Sequence, residues 1–459
     1  DEVVAAAAYA LGKIASPDAV RALNAFRREA AERLAGVAAE SSLKAAKNLL
    51  ERGQNDRAAE IFTAMQADKW PDHVRGGAFQ GLLRAQPDEA VSRVIAAIQG
   101  EDEMLRSTAI ANVVRLEGDN VAGRIAAEMP DMSEDEQVVL IEGFAERGDQ
   151  AARDAIIKAG DASPGKVRAA AARALADIGD KTSVAWLAEV ALNAETAEER
   201  QAAMGALVSI PGEKVTGRLT GIMENADEDN RPKLINLLMR RGDAGAVKAL
   251  MAQAEKSDTA IRRSAFRALG RLAGPSELPD MLELLLASPD DAGRDQAEKA
   301  VALVASKIEN EGKRADTVVT ALTEADSVAD RCSLLRVLAG VGSEQALSAV
   351  EEALNSDEAE VRDTAVRALS AWPDAGAADA LLQIIRTTDN TTHRTLAIRG
   401  LVAVLDEPED MSYGQVAEMY AEACRVAQTA AEKRMLLSGL MNVGHPRALD
   451  IATRWMEDS

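Results

Sequence analysis

Several short stretches of this sequence carry residue types that do chemistry elsewhere, and spacing decides what each can do here. The stretch from Gly160 to Lys166 (GDASPGK) is one residue short of a phosphate-binding loop, whose Lys must be followed by Ser or Thr; Val167 stands there instead. That loop also needs a strand before it, so that backbone N–H groups and the Lys converge on phosphate, and the residues before Gly160 have a helical pattern. Three histidines, His73, His393 and His445, lie far apart and none is followed by Glu, so no metal-ligand spacing exists. Cys332 and Cys424 are 92 residues apart with no CxxC spacing and read as small buried hydrophobes. The acidic clusters Glu101–Glu103, Asp227–Asp229 and Asp290–Asp291 lack the Asp-x-Asp-x-Asp-Gly order of a calcium loop. Helix starts favour carboxylates through capping and the helix dipole, which explains them without a ligand. We therefore assign no catalytic residue, no cofactor site and no metal ligand.

One group of chemistry-bearing residues survives, and it is visible only against the elements that position it. Segments such as HVRGGAFQGLL (from His73), KVRAAAARALA (from Lys166), AIRRSAFRALG (from Ala260) and EVRDTAVRALS (from Glu360) align on a marker position. The marker is Arg75, Arg106, Gln137, Arg168, Arg200, Arg231, Arg262, Arg294, Arg331, Arg362, Arg394 and Arg434, and nine of the eleven spacings are 31 or 32 residues. Counting the marker as zero, +3 is Ala or Leu and +7 is Leu, Val, Phe or Met in every copy. Apolar residues four apart define one buried helix face. A turn follows in most copies, as at Gly179–Asp180, Gly242–Asp243 and Gly342–Ser343, then a second apolar-striped helix such as Ala346–Leu354 and another polar turn. The period is a helical hairpin.

At about 100° per residue, positions 0, +3, +4, +6 and +7 share one side and +5 points away from it. Position +5 is a cation in five consecutive copies: Arg267, Lys299, Arg336, Arg367 and Arg399. One turn later Arg84, Arg115, Arg240 and Arg271 fall on the same face. These five residues are the candidate site, suited to an anionic or acidic partner. A row of charge on a helix is also what a merely solvated face looks like.

The VRxxAxxAL core with a Gly/Asp turn and an AxxxL helix resembles the short, phycobilin-lyase-like class of HEAT repeats. That resemblance implies an all-α fold, a right-handed α-solenoid (superhelix) of HEAT-type hairpins whose marker helices line the concave surface. It also implies an architectural Asp–Arg ladder, for which Asp258, Asp326, Asp357 and Asp389 stand four or five residues before their marker Arg. We expect a single solenoid over residues 1–459. Residues 1–72 are less regular, with a tetratricopeptide flavour over Ser41–Met65; 73–459 are regular, with longer repeats near 307–317 and 405–415. HEAT-like deoxyhypusine hydroxylases hold iron through His-Glu pairs, which are absent here. HEAT-like DNA glycosylases use a basic, aromatic-lined groove, and this chain has 12 aromatics in 459 residues. Trp70 and Trp372 fall in turns on opposite edges of the repeat and do not make a stacking platform.

The formal net charge of −22 keeps the chain in solution and repels polyanions at a distance, which argues against nucleic acid. The longest apolar run, Val3–Leu11, is too short to span a membrane. The expected function is a non-enzymatic protein–protein interaction scaffold, cytoplasmic or exported, that offers a concave surface to a protein or peptide with an acidic segment. The alternative is an accessory HEAT segment of a larger multidomain bacterial enzyme, exported and sugar-active. A tetrapyrrole lyase or chaperone follows only from the repeat class, and no nucleophilic Cys–His arrangement supports it. The chain starts inside a marker helix and stops after a first helix, so we expect it to continue at both ends or to be covered there by another subunit. Leu449, Ile451 and Ala452 are the side chains expected to lack cover.

Overall fold

A computed structural model describes residues 2–30, 32–117, 121–256, 258–288, 291–406 and 411–457; every regular element among them is helical. Asp290, the side chain of Asp291, residues 407–410 within the second long repeat and residues 458–459 lie outside that description. The chain forms two compact units, Asp1–Leu219 and Thr220–Ser459.

Each unit is a stack of hairpins. In the second unit the marker helices Arg231–Arg241, Thr259–Leu272, Asp291–Ser306, Val328–Val341, Ala359–Ser370, Thr391–Val404 and Ala430–Leu440 pack one on the next. In the first unit Glu2–Ile14, Ala35–Glu51, Asp72–Ala85, Glu103–Ala111, Glu134–Arg147, Lys166–Ile178 and Ala197–Ser209 do the same. The other helix of each hairpin lies against its marker helix and makes a second layer. The long repeat near 307–317 adds a turn and a short 3-10 helix, Glu311–Lys313.

Local sequence accounts for the breaks. Thr196 and Glu199 form a reciprocal capping box at the start of Ala197–Ser209, and Ser133 with Glu136 does so for Glu134–Arg147. Gly148, Gly242 and Gly342 end their helices at φ near +70°, where a side chain would be strained. Between the breaks, the +3 and +7 residues form the core: Ala171, Leu175, Ala265, Leu269, Ala365 and Leu369 are all fully buried. Each buried Leu contributes roughly 2 kcal/mol by leaving water, and the Ala four residues before it lets the next helix come close.

The register slips in the last copy. Leu436 and Leu440 are buried, whereas Leu437 is only half-buried and Met441 is 79% exposed. Position zero there is Lys433, not Arg434. At the two ends, Val3, Tyr9, Ile14, Met441 and Leu449 are exposed. Of the three side chains expected to lack cover, Leu449 does, but Ala452 is half-buried and Ile451 is buried, because Pro446–Glu457 packs on Tyr413–Val426.

The marker arginines cap helices. Arg168 donates through Nε to the Gly160 carbonyl at 2.9 Å, Arg200 to Ala194 at 2.6 Å, Arg262 to Lys256 at 2.7 Å and Arg362 to Ser356 at 2.6 Å. These carbonyls end the preceding helix and have no partner inside it, so the guanidinium locks each hairpin shut. Of the four acids expected in the ladder, Asp258 has a different task. Asp258 accepts the Ile261 N–H as an N-cap, and Ser327 and Asn390 take that role beside Asp326 and Asp389. Ionic rungs do join neighbouring repeats: Arg75 meets Asp102, four residues before the next marker, whereas Arg168 meets Glu199 at 3.6 Å, Arg294 meets Asp330 at 2.9 Å and Arg394 meets Glu432 at 3.0 Å, acids one or two residues before theirs.

These rungs make stability pH-dependent. Burial opposes ionisation of Glu199, but hydrogen bonds from Thr196 and Gly165 and the nearby Arg168 outweigh it and hold its carboxyl below the usual range. Asp330 is likewise lowered, with burial overcome by Ser327 and Arg294. A carboxyl lowered by folding stabilises above its unfolded pKa of about 4, and that contribution is lost as pH falls through the folded value. The urea midpoint should thus stay level above about pH 5 and fall below it. Glu199→Gln should be less stable at pH 7 yet fall less on acidification; an unchanged acid slope would refute this assignment.

Candidate functional site

The five expected cations lie at the same phase of five helices packed in succession, and all five are exposed. The row is therefore continuous across one layer of the second unit. With helices about 8–10 Å apart, four steps span roughly 32–40 Å.

Their ionic state is uneven. Among the described residues Arg267 and Arg399 have no ion-pair or hydrogen-bond partner. Lys299 meets Asp295 at 2.8 Å and Arg367 meets Asp363 at 2.7 Å, each one turn away on its own helix. The hydrogen bond that Arg367 donates to Asp363, together with the carboxylate's charge, raises the guanidinium further above its usual value. Asp363 also contacts His393 Nε2 at 3.0 Å, and the Arg367 hydrogen bond, against burial, holds that carboxyl low. Arg336 is held differently. Its Nε and Nη2 make a bidentate pair with Glu298 of the neighbouring helix, at 2.9 and 2.8 Å, and the Glu298 side chain is only 7% exposed.

Magnitudes separate these cases. Exposed pairs one turn apart are worth about 0.3–0.5 kcal/mol, so a ligand carboxylate can replace Asp295 or Asp363. Breaking the bidentate pair would strand a buried Glu298, which commits Arg336 to holding two helices together. Glu298 occupies position +4, and its role was not legible because its partner is 38 residues away.

The other chemistry-bearing residues have structural roles. Gly165, at φ +93°, starts the helix Lys166–Ile178, but its N–H donates to Glu199 at 2.8 Å and Lys166 meets Asp135 at 2.7 Å. The protein's own carboxylates take the groups a phosphate would need. Cys332 and Cys424 are buried free thiols, and burial pushes Cys424 up to about 12. Trp70 and Trp372 are buried too, so neither offers a ring face for stacking. Among the described residues no cluster of His, Cys, Asp or Glu could hold a metal ion, and no helix is long and apolar enough to cross a membrane.

No curated protein matches this sequence. Among solved structures, Kap121p is similar over 96% of this chain and 54% of its own, with 10% identity and a TM-score of 0.46. Kap121p bound to Pho4p gives 96%, 54%, 11% and 0.46, and Kap121p bound to the SUMO protease Ulp1p gives 94%, 54%, 11% and 0.45. The chain spans about half the length of these proteins. A family model for HEAT repeats matches residues 121–208, 216–302 and 315–402, which together make up more than half of the sequence. With two layers of hairpins stacked at the sequence period, the chain belongs to the HEAT-repeat family.

Proposed function

We propose that this chain is a non-enzymatic protein-interaction scaffold whose binding surface is the exposed row from Arg267 to Arg399, and that it takes an acidic, extended peptide segment. The observation that carries this reading is the placement of five exposed cations at one phase of five adjoining helices in a chain of net charge −22. Arg267 and Arg399, with no partner among the described residues, anchor the two ends of the ligand. Lys299 and Arg367 exchange a weak internal pair for a ligand carboxylate, and Arg336 keeps the central helices in place. A span of roughly 32–40 Å fits about ten to twelve extended residues. In a HEAT solenoid this layer would line the concave face. The 31-residue period supports the short, phycobilin-lyase-like repeat class.

The test uses a fluorescent twelve-residue peptide of alternating Glu and Ser, read by anisotropy at two salt concentrations. Wild-type binding should weaken as salt rises, and Arg267→Glu with Arg399→Glu should weaken it by about ten-fold or more. Binding that is indifferent to both salt and charge reversal would refute the proposal.

A further inference from the structure

The Asp1–Leu219 unit contains a cavity of about 440 Å³ between the helices Ala35–Glu51 and Asp72–Ala85 and the short turn Val113–Arg115. We propose that it binds an organic anion with an apolar body, a site separate from the row in the other unit and independent of that reading.

Missing side chains and surplus charge shape the cavity. Gly77 and Gly81 lie one turn apart on the helix that forms its floor. A Cβ at Gly81 would come within 2.3 Å of the Phe62 ring, so the ring lies directly on bare backbone. At Gly77 the nearest atom to a Cβ would be a Leu43 methyl at an ordinary 3.6 Å, so the space there exists because Gly leaves it empty. Three cations, Lys47, Arg84 and Arg115, reach the cavity from three separate helical segments, and among the described residues Glu117 is the one acid lining it. None of the three cations has a hydrogen bond or ion pair among the described residues. Marker arginines such as Arg75, Arg168, Arg294 and Arg394 are all engaged. Among the described residues, three cations and one acid thus line the rim, in a chain whose net charge is −22. Like charges held together without a counter-ion repel, and an anion placed among them relieves that repulsion. Leu50, Phe62, Leu83 and Leu116 also line it, so the cavity rewards a hydrocarbon portion, and its volume falls in the range of roughly 300–1,000 Å³ usual for small-molecule sites.

A free aliphatic dicarboxylate and an acidic-apolar segment of a partner polypeptide share this chemistry, and the experiment separates them. The probe is 8-anilinonaphthalene-1-sulfonate, an aromatic sulfonate, titrated into the full chain by fluorescence. Arg84→Gln with Arg115→Gln removes the charge from exposed positions; Gly77→Leu fills the floor. Each should weaken the tightest class of probe site by about ten-fold or more. Leu449→Gln, at an apolar patch elsewhere, should leave that class unchanged, as should Arg267→Glu with Arg399→Glu. Suberate or the peptide acetyl-Glu-Leu-Leu-Glu-amide should then displace the probe, and whichever does so at lower concentration names the source. Equal probe affinity in the wild type and the arginine double variant would overturn the proposal. So would displacement by neither anion better than by its uncharged amide.

Discussion

Replacing Arg394 by methionine should lower the stability of the helices from Ala378 to Leu440 by about 3–5 kcal/mol, the largest single-residue effect expected in the second unit. The Arg394 side chain is 4% exposed and that of Glu432 8%. From this position the guanidinium reaches three groups at once: the Ile385 carbonyl, the Val426 carbonyl and Glu432 Oε1, the last at 3.0 Å. It therefore closes its own hairpin and fastens it to the next. Methionine keeps the length and apolar bulk but leaves two helix-end carbonyls without a donor and Glu432 as a buried charge without a cation. Glu432 also accepts the backbone N–H of Gln428 at 2.6 Å, so it cannot simply turn away. The double variant Arg394→Met with Glu432→Gln should recover much of the loss, because the glutamine is neutral and its carbonyl still accepts from that N–H. Urea unfolding, with hydrogen exchange over residues 378–440, is the measurement. A loss below about 1 kcal/mol, or a double variant as unstable as the single, would show that the pair is not buried as described.

Two glycine-to-alanine changes should have opposite signs. Inside an exposed helix this change stabilises by about 0.5–1 kcal/mol through chain entropy alone. Gly205 sits at position +5 of its repeat, with nothing within 4 Å of where its Cβ would be, so Gly205→Ala should show that gain. Gly400 sits at +6, on the buried side. A Cβ there would stand 2.7 Å from the Ser370 Cα and 2.9 Å from its carbonyl oxygen, and these are backbone atoms of the neighbouring marker helix. No rotamer change relieves that contact, so the helices Ala359–Ser370 and Thr391–Val404 must separate. Overpacking of this kind costs about 1–3 kcal/mol, enough to reverse the sign. Thermal unfolding of both variants decides the matter; a stabilised Gly400→Ala would mean that the two helices are further apart than described.

Much of the architecture was legible because a repeat states the same constraint many times. Ala or Leu at +3 and Leu, Val, Phe or Met at +7 recur in every copy, mostly 31 or 32 residues apart, and a helical period of 3.6 leaves one way to bury both. The exposure of position +5 followed from the same geometry, and so did turns such as Gly242 and Gly342, whose left-handed φ asks for glycine. Where two phases bury comparable residues, periodicity loses its hold. In the last copy Leu436 with Leu440 and Leu437 with Met441 both satisfy the pattern, and only packing against the preceding helix selects the first pair.

What tertiary structure alone decided is the partner of each charge. The marker Arg was recognisable as architecture, but its acceptors are the carbonyls of a preceding helix end and an acid one repeat on, about 27 to 38 residues away in sequence. Spacing along the chain suggested rungs from the acids four or five residues before a marker; Asp102 makes one, to Arg75, but Asp258 caps a helix, and the other rungs use acids nearer the marker. In the same way, the sequence offered five equivalent cations from Arg267 to Arg399. Neighbouring helices made them unequal, placing Glu298 under Arg336 and nothing described beside Arg267 or Arg399. Hydrophobic burial is set by residue type and period, which a single chain displays. An ion pair is set by which side chains from separate helices arrive within about 4 Å, and that depends on how the layers close.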